Sequence, residues 1–159
     1  MTSNVKPVPD GYHTVTPYLT VRGAAKAIEF YKRAFGAQQR GLLPMPGGKI
    51  GHAEIIVGNS ILMLADEFPE HGNQSPEALN GSPVGLAIYV DNVDEVFARA
   101  VKAGATVKEP VGDKFWGDRA GSVTDPFGHK WTILTHKEDV SLDEMKKRME
   151  KMFENKECK

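Results

Sequence analysis

Residues 124–136, TDPFGHKWTILTH, decide the fold. Asp125 and Pro126 open a tight turn, and Gly128 stands where a residue with a Cβ would be strained. The residues after the turn alternate: Trp131 and Ile133 face one way, Lys130, Thr132 and Leu134 the other, which is the period of a half-buried strand. Such a strand packs its apolar side on a helix and leaves its second face free to line a cavity. The side chains on that second face limit the chemistry the cavity can perform.

Upstream, residues 84–90 (VGLAIYV) set Leu86, Ile88 and Val90 against Gly85, Ala87 and Tyr89. Asp91 or Asn92 then caps a helix with Val93, Val96, Phe97, Ala100 and Val101 as its apolar stripe, closed by Gly104. Residues 106–109 and 119–124 complete a strand, helix, three-strand order with the opening stretch. The first half of the chain repeats it. Residues 14–21 (TVTPYLTV) alternate, with Leu19 and Val21 opposed to Tyr18 and Thr20, and Pro17, which lacks an N–H, predicts an edge strand. Residues 23–35 form an amphipathic helix ending at Gly36. Strands come next at 38–43, at 52–57 and, beyond a Gly58-Asn59 turn, at 61–65.

Aligning Val21 with Val90 and Gly36 with Gly104 superimposes the halves at an offset of about 69 residues, which marks a duplication. The fold class is therefore α+β, with two βαβββ modules forming an incomplete mixed β-barrel plus a C-terminal helix. The expected boundaries are a lead-in at 1–13, modules at 14–66 and 84–136, a Pro- and Gly-rich linker at 67–83, and a helical tail at 137–159. Neither half can bury its sheet alone, so the polar faces of the strands are expected to line one shared trough. In the tail, Ser141 with Glu144 reads as a capping box ahead of a Leu142, Met145, Met149, Met152, Phe153 stripe, docked on its own module or on a second subunit.

With 20 Lys and Arg against 21 Asp and Glu, a net charge of -1, neither sign dominates, which gives no electrostatic case for nucleic acid or an anionic membrane. No apolar run reaches a membrane span and no apolar signal core opens the chain, so a cytoplasmic protein is expected. The one cysteine, Cys158, cannot form an internal disulfide and is expected to be inert.

The duplicated module, AIEFYKRAFGA in the first half and DPFGHKW in the second resemble the vicinal-oxygen-chelate superfamily of glyoxalase I, extradiol dioxygenases and bleomycin- and fosfomycin-resistance proteins. TPYLTV, ILMLADE, WGDR and DPFGHKW are most similar to its PhnB-like branch. The resemblance implies a dimer with a divalent metal held by His or Glu from the first, fourth, fifth and eighth strands. Carried onto this chain, those positions fall at Thr16, Met63, Gly85 and Thr132. Two hydroxyls, a thioether and a bare glycine do not repay the dehydration of Mg, Zn, Ni or Fe.

The expectation is therefore a homodimeric protein that binds a small organic molecule with no metal cofactor, through Tyr18, Tyr89, Trp116, Arg119 and Thr132. In that reading Trp116 stacks, Arg119 takes an anionic group and Asp118 holds the guanidinium, or else they make a structural salt bridge and a cover. The alternative is a lyase, isomerase or dioxygenase of glyoxalase type with a divalent metal relocated to His52, Glu54 and Asp66, or with Glu54 as general base beside His52. A plain interaction module rests on the tail stripe alone. His13, His71 and His129 read as structural.

Overall fold

A computed structural model describes residues 5–157, with side chains to residue 154. Cys158 and the first four residues lie outside the described residues. The elements run β1 (Tyr18–Val21), α1 (Ala24–Phe35), β2 (Gln38–Pro44), β3 (Ile50–Val57), β4 (Ser60–Asp66), then β5 (Gly85–Tyr89), α2 (Val93–Ala103), β6 (Thr106–Asp113), β7 (Asp118–Thr124), β8 (Lys130–His136) and α3 (Leu142–Glu157). Two four-stranded mixed sheets result, ordered β1-β4-β3-β2 and β5-β8-β7-β6. Both are unclosed, and each repeats the other's order, as a duplication requires.

The registers repeat as well. Tyr18 lies opposite Met63, and Ala87 opposite Thr132, with β1 parallel to β4 and β5 parallel to β8. Leu62 and Leu64 are buried in the core while Met63 faces the other way, on the side of the sheet that carries Glu54 opposite it. β1 begins only at Tyr18, four residues later than its alternation suggested. Pro17 has no N–H to pair and contributes its carbonyl alone, accepting from Met63 N–H at 2.9 Å, while Thr16 Oγ1 turns back to the His13 carbonyl.

The helices end where small residues allow it. Gly36 is left-handed (φ 70°) and returns its N–H to the Lys32 carbonyl, and the Asn92 side chain accepts Glu95 N–H at the start of α2. The capping box of α3 is half made: Ser141 Oγ accepts Glu144 N–H, but the Glu144 carboxylate goes to Arg148 instead. Leu142 and Phe153 of the tail stripe are exposed.

No strand of one sheet pairs with a strand of the other among the described residues. The modules are joined by α1 packed on α2, and one continuous core runs through the joint. Tyr31 and Phe35 of α1 lie 5.4 and 4.6 Å, centroid to centroid, from Trp131 of β8. Three polar links reinforce this contact: Arg99 Nε donates to the Ala34 carbonyl, Tyr31 Oη to Asp125, and His129 Nε2 to the Thr20 carbonyl at 3.0 Å. His129 is thus a structural hydrogen-bonder, as expected. The joint corrects the expectation of a shared trough lined by polar strand faces, because apolar helix faces form it and the space between the modules is bounded mostly by apolar side chains.

The DPFGH turn closes as expected. Gly128 has φ +89°, and a Cβ there would stand 2.7 Å from Pro76, so both the backbone and the connector require glycine. The connector is itself anchored: the buried Ser75 donates N–H and Oγ to Glu67, which also takes Arg22 Nε at 2.6 Å. Ser75, then Arg22, hold the Glu67 carboxyl down at about 2, from an ordinary 4.5. A depressed carboxyl stabilises the fold above its unfolded value, and that contribution is lost as pH falls from about 4.5 toward about 2. In acid titrations followed by circular dichroism, Glu67→Gln is expected to lose less stability than the parent across that window. Equal losses would remove Glu67 as the source.

Candidate functional site

Three places collect functional side chains: a cleft between the modules and one polar cluster on each sheet. The cleft has a volume of about 940 Å³. Its deep end is Phe35 and Trp131, one wall is the β3–β4 hairpin with Val15 and Pro17 of the lead-in, and the other is β5 with the first turn of α2. Tyr89 stands on that second wall. Tyr18 does not share the space, and instead lines a smaller recess of about 270 Å³ together with His129 and Leu86. In the repeat Tyr18 corresponds to Ala87, two residues before Tyr89, so the two tyrosines do not hold equivalent positions.

The first cluster centres on Glu54. The outward face of β3 carries His52 and Glu54 together, as the i, i+2 spacing predicts. His52 Nε2–H points to Glu54 Oε1 at 3.4 Å, which leaves Nδ1 to accept from the Tyr18 phenol at 3.2 Å. Tyr12, from the lead-in, donates a short hydrogen bond to the same carboxylate oxygen. Arg40 approaches Glu54 Oε2 at 3.6 Å and covers the Tyr12 ring at 5.0 Å. The Tyr12 hydrogen bond, against the upward push of burial and aided by His52 and Arg40, holds the Glu54 carboxyl below the usual range. A carboxylate so stabilised is a weak proton acceptor at neutral pH.

Asp66 is not part of this cluster. It continues the core face of β4 beyond Leu62 and Leu64, and its Oδ1 accepts the N–H groups of Gly23 (2.8 Å) and Ala24 (2.9 Å) while Oδ2 accepts Ile50 N–H (2.7 Å). It therefore caps α1 from the opposite side of the sheet to His52 and Glu54. The three proposed metal donors do not converge, and the described residues hold no group of three or more His, Cys, Asp or Glu arranged to bind a metal. Thr16, Met63, Gly85 and Thr132 do not fit a metal either: Gly85 has no side chain, and Thr132 Oγ1 lies 3.4 Å from Ser122 Oγ.

The second cluster centres on the buried Asp118. Its Oδ2 accepts from Trp116 Nε1 (2.9 Å) and Tyr89 Oη (3.1 Å), and its Oδ1 from His136 Nδ1 (2.8 Å). Burial pushes the Asp118 carboxyl up, but the His136, Tyr89 and Trp116 hydrogen bonds outweigh it and leave the group below its ordinary value. The same contact, with Asp139 on the other ring nitrogen, raises His136. Arg119 points to the other face of β7, where it makes two hydrogen bonds to Asp94 and one to Asp113. Asp118 therefore holds the indole and not the guanidinium, and Arg119 is spent in a salt bridge. Sequence reasoning missed Tyr12, Arg40 and His136. The first lies outside any periodic segment, and the other two are linked to their partners only through the sheet.

The sequence model of the Glyoxalase/Bleomycin resistance protein/Dioxygenase superfamily matches residues 12–133. The chain belongs to this superfamily. A Mycobacterium tuberculosis H37Rv protein, itself described as uncharacterized, is 41% identical over 152 residues, which are 94% of this chain and 86% of that one. Two solved structures are similar in fold. TioX from Micromonospora sp. ML1 has a TM-score of 0.62 at 26% identity, covering 81% of this chain and 100% of its own. A PhnB protein from Bacillus cereus has a TM-score of 0.61 at 18% identity, covering 77% and 99%. Within the superfamily fold, the two sheet clusters and the cleft are the places where this member's own side chains concentrate. No helix among the described residues is long and apolar enough to cross a membrane.

Proposed function

We propose that this chain is a PhnB-like, cytoplasmic, homodimeric member of the superfamily that binds a small organic molecule in the cleft between its modules without a metal. The cleft carries the reading. At about 940 Å³ it matches the size of small-molecule sites, and its lining is mostly apolar. Tyr89, fixed by its hydrogen bond to Asp118, stands where the cleft meets the open face of the second sheet. The donor-poor set at Thr16, Met63, Gly85 and Thr132 supports binding without a metal, the motifs TPYLTV, ILMLADE, WGDR and DPFGHKW support the branch, and the exposed Leu142, Met149, Met152 and Phe153 of α3 support a second copy.

A second reading, a metal-dependent lyase, isomerase or dioxygenase, rests on the convergence of His52, Glu54 and Tyr18. Native mass spectrometry of protein purified without chelators separates the two. The expected spectrum is a dimer carrying an organic adduct, with the adduct lost in Ser60→Trp, which projects from the β3–β4 hairpin into the cleft on the face of Leu62. A monomer would remove the dimer, a Ser60→Trp protein that keeps the adduct would remove the cleft, and stoichiometric metal lost in His52→Ala would establish the second reading.

A further inference from the structure

We infer that the cleft selects organic molecules that carry a positive charge next to their apolar body. This inference rests on the cleft being the binding site and adds the chemical class of its guest. Among the residues that line the cleft there is no lysine and no arginine, while Asp91 and Glu95 both stand on its rim. Across the whole chain the two signs are nearly equal, so this one-sided lining is a local feature. Among the described residues neither carboxylate has a hydrogen-bond or ion-pair partner, unlike Glu54, Glu67, Asp94 and Asp118, each of which is engaged by a neighbouring side chain.

Three features turn this charge toward the guest. The two carboxylates stand on the wall that also carries Tyr89, so a cation bound there meets a phenol ring as well as two anionic groups. The rest of the lining is mostly apolar, so the guest's apolar part displaces water there while its charged end stays beside the exposed Asp91 and Glu95, where the lost hydration is smallest. The N-terminus of α2, which by its dipole would favour an anion, is already occupied: Asn92 Oδ1 accepts Glu95 N–H and Thr135 Oγ1 accepts Val93 N–H. A tenfold preference corresponds to about 1.4 kcal/mol. Two unpaired carboxylates close to a bound cation at a protein surface supply that much, and repel an anion of the same shape.

Tetraphenylphosphonium and tetraphenylborate have nearly the same shape and opposite charge, and they make the test. Isothermal titration calorimetry measures both against the parent and against Asp91→Asn/Glu95→Gln, two rim changes that leave the core untouched. The ratio of the two dissociation constants is expected to shift toward the anion by at least about tenfold in the double variant, and to shift the same way in the parent when salt is raised from low to high. An unchanged ratio, with both ions still bound and both displaced by Ser60→Trp, overturns the charge assignment and leaves the cleft standing. Failure of both ions to bind, or binding that Ser60→Trp does not affect, overturns the cleft and the charge assignment together.

Discussion

Asp125→Ala is expected to lower the melting temperature by roughly 10 °C. The carboxylate is buried and accepts from four donors: the N–H groups of Phe127 and His129 on Oδ1, and Tyr31 Oη and Trp131 Nε1 on Oδ2, each of these last two at 2.8 Å. Two of those donors belong to its own turn, one to β8 and one to α1 in the other module, so a single side chain fastens the turn, the second sheet and the joint. Tyr31 and Trp131 are almost wholly buried and have no solvent to replace the lost acceptor. Burial, then the carboxylate, pushes the Tyr31 phenol well above its ordinary range, which keeps it a donor at any working pH. Removing one member of such a buried set costs about 3 to 5 kcal/mol. For a chain of this length about 2 to 4 °C accompany each kcal/mol. Asp125→Asn keeps an acceptor but turns a donor toward other donors, and is expected to lose about half as much. Scanning calorimetry reads both, and a fall of less than about 2 °C in Asp125→Ala would end the idea that this carboxylate fastens the joint.

Asp66→Ala is expected to be the next most damaging change, at about 2 to 4 kcal/mol. Its three acceptor contacts reach backbone donors only, Gly23, Ala24 and Ile50. Two are unpaired N–H groups at the start of α1 and the third begins β3, so the change exposes a helix end and a strand end at once. The repeat supplies its own control. Thr135 holds the equivalent place at the end of β8 and accepts one N–H, from Val93 at the start of α2, while donating to the Val90 carbonyl. Thr135→Val is accordingly expected to cost about 1 kcal/mol. Chemical denaturation of the two variants compares them directly, and equal losses would show that the number of acceptor contacts does not set the cost.

The fold was legible because its signals are local. Alternation in β5 and β8 assigned the right faces, the apolar stripe of α1 and its glycine cap gave a helix with the right end, and the offset of about 69 residues reappears in the capping pairs Asp66 with Ala24 and Thr135 with Val93. Several site assignments failed on parity that the same alternation contains. Asp66 stands two residues beyond Leu64 and so shares its core face, opposite His52 and Glu54. Asp118 and Arg119 are neighbours on one strand and must point to opposite faces, so the one never had access to the other. The joint was not legible in this way. Whether two modules meet through sheet edges or through helices depends on which apolar surfaces fit, which no alternation encodes, and only the structure shows α1, with seven buried residues, covered from more than one side. Tyr12 lay beyond reach for another reason: a non-repetitive lead-in is placed by the sheet it lands on.

Because side chains and not a hydrogen-bonded ladder hold the halves together, the spacing of the cavity walls depends on the bulk of a few small groups, Ala34 beside Arg99 and Ala100 in the core of α2. A methyl added or removed there moves one half relative to the other and leaves every backbone pairing intact. The interior volume is thereby adjustable independently of the scaffold, which gives a duplicated architecture a simple physical route to accept guests of different girth.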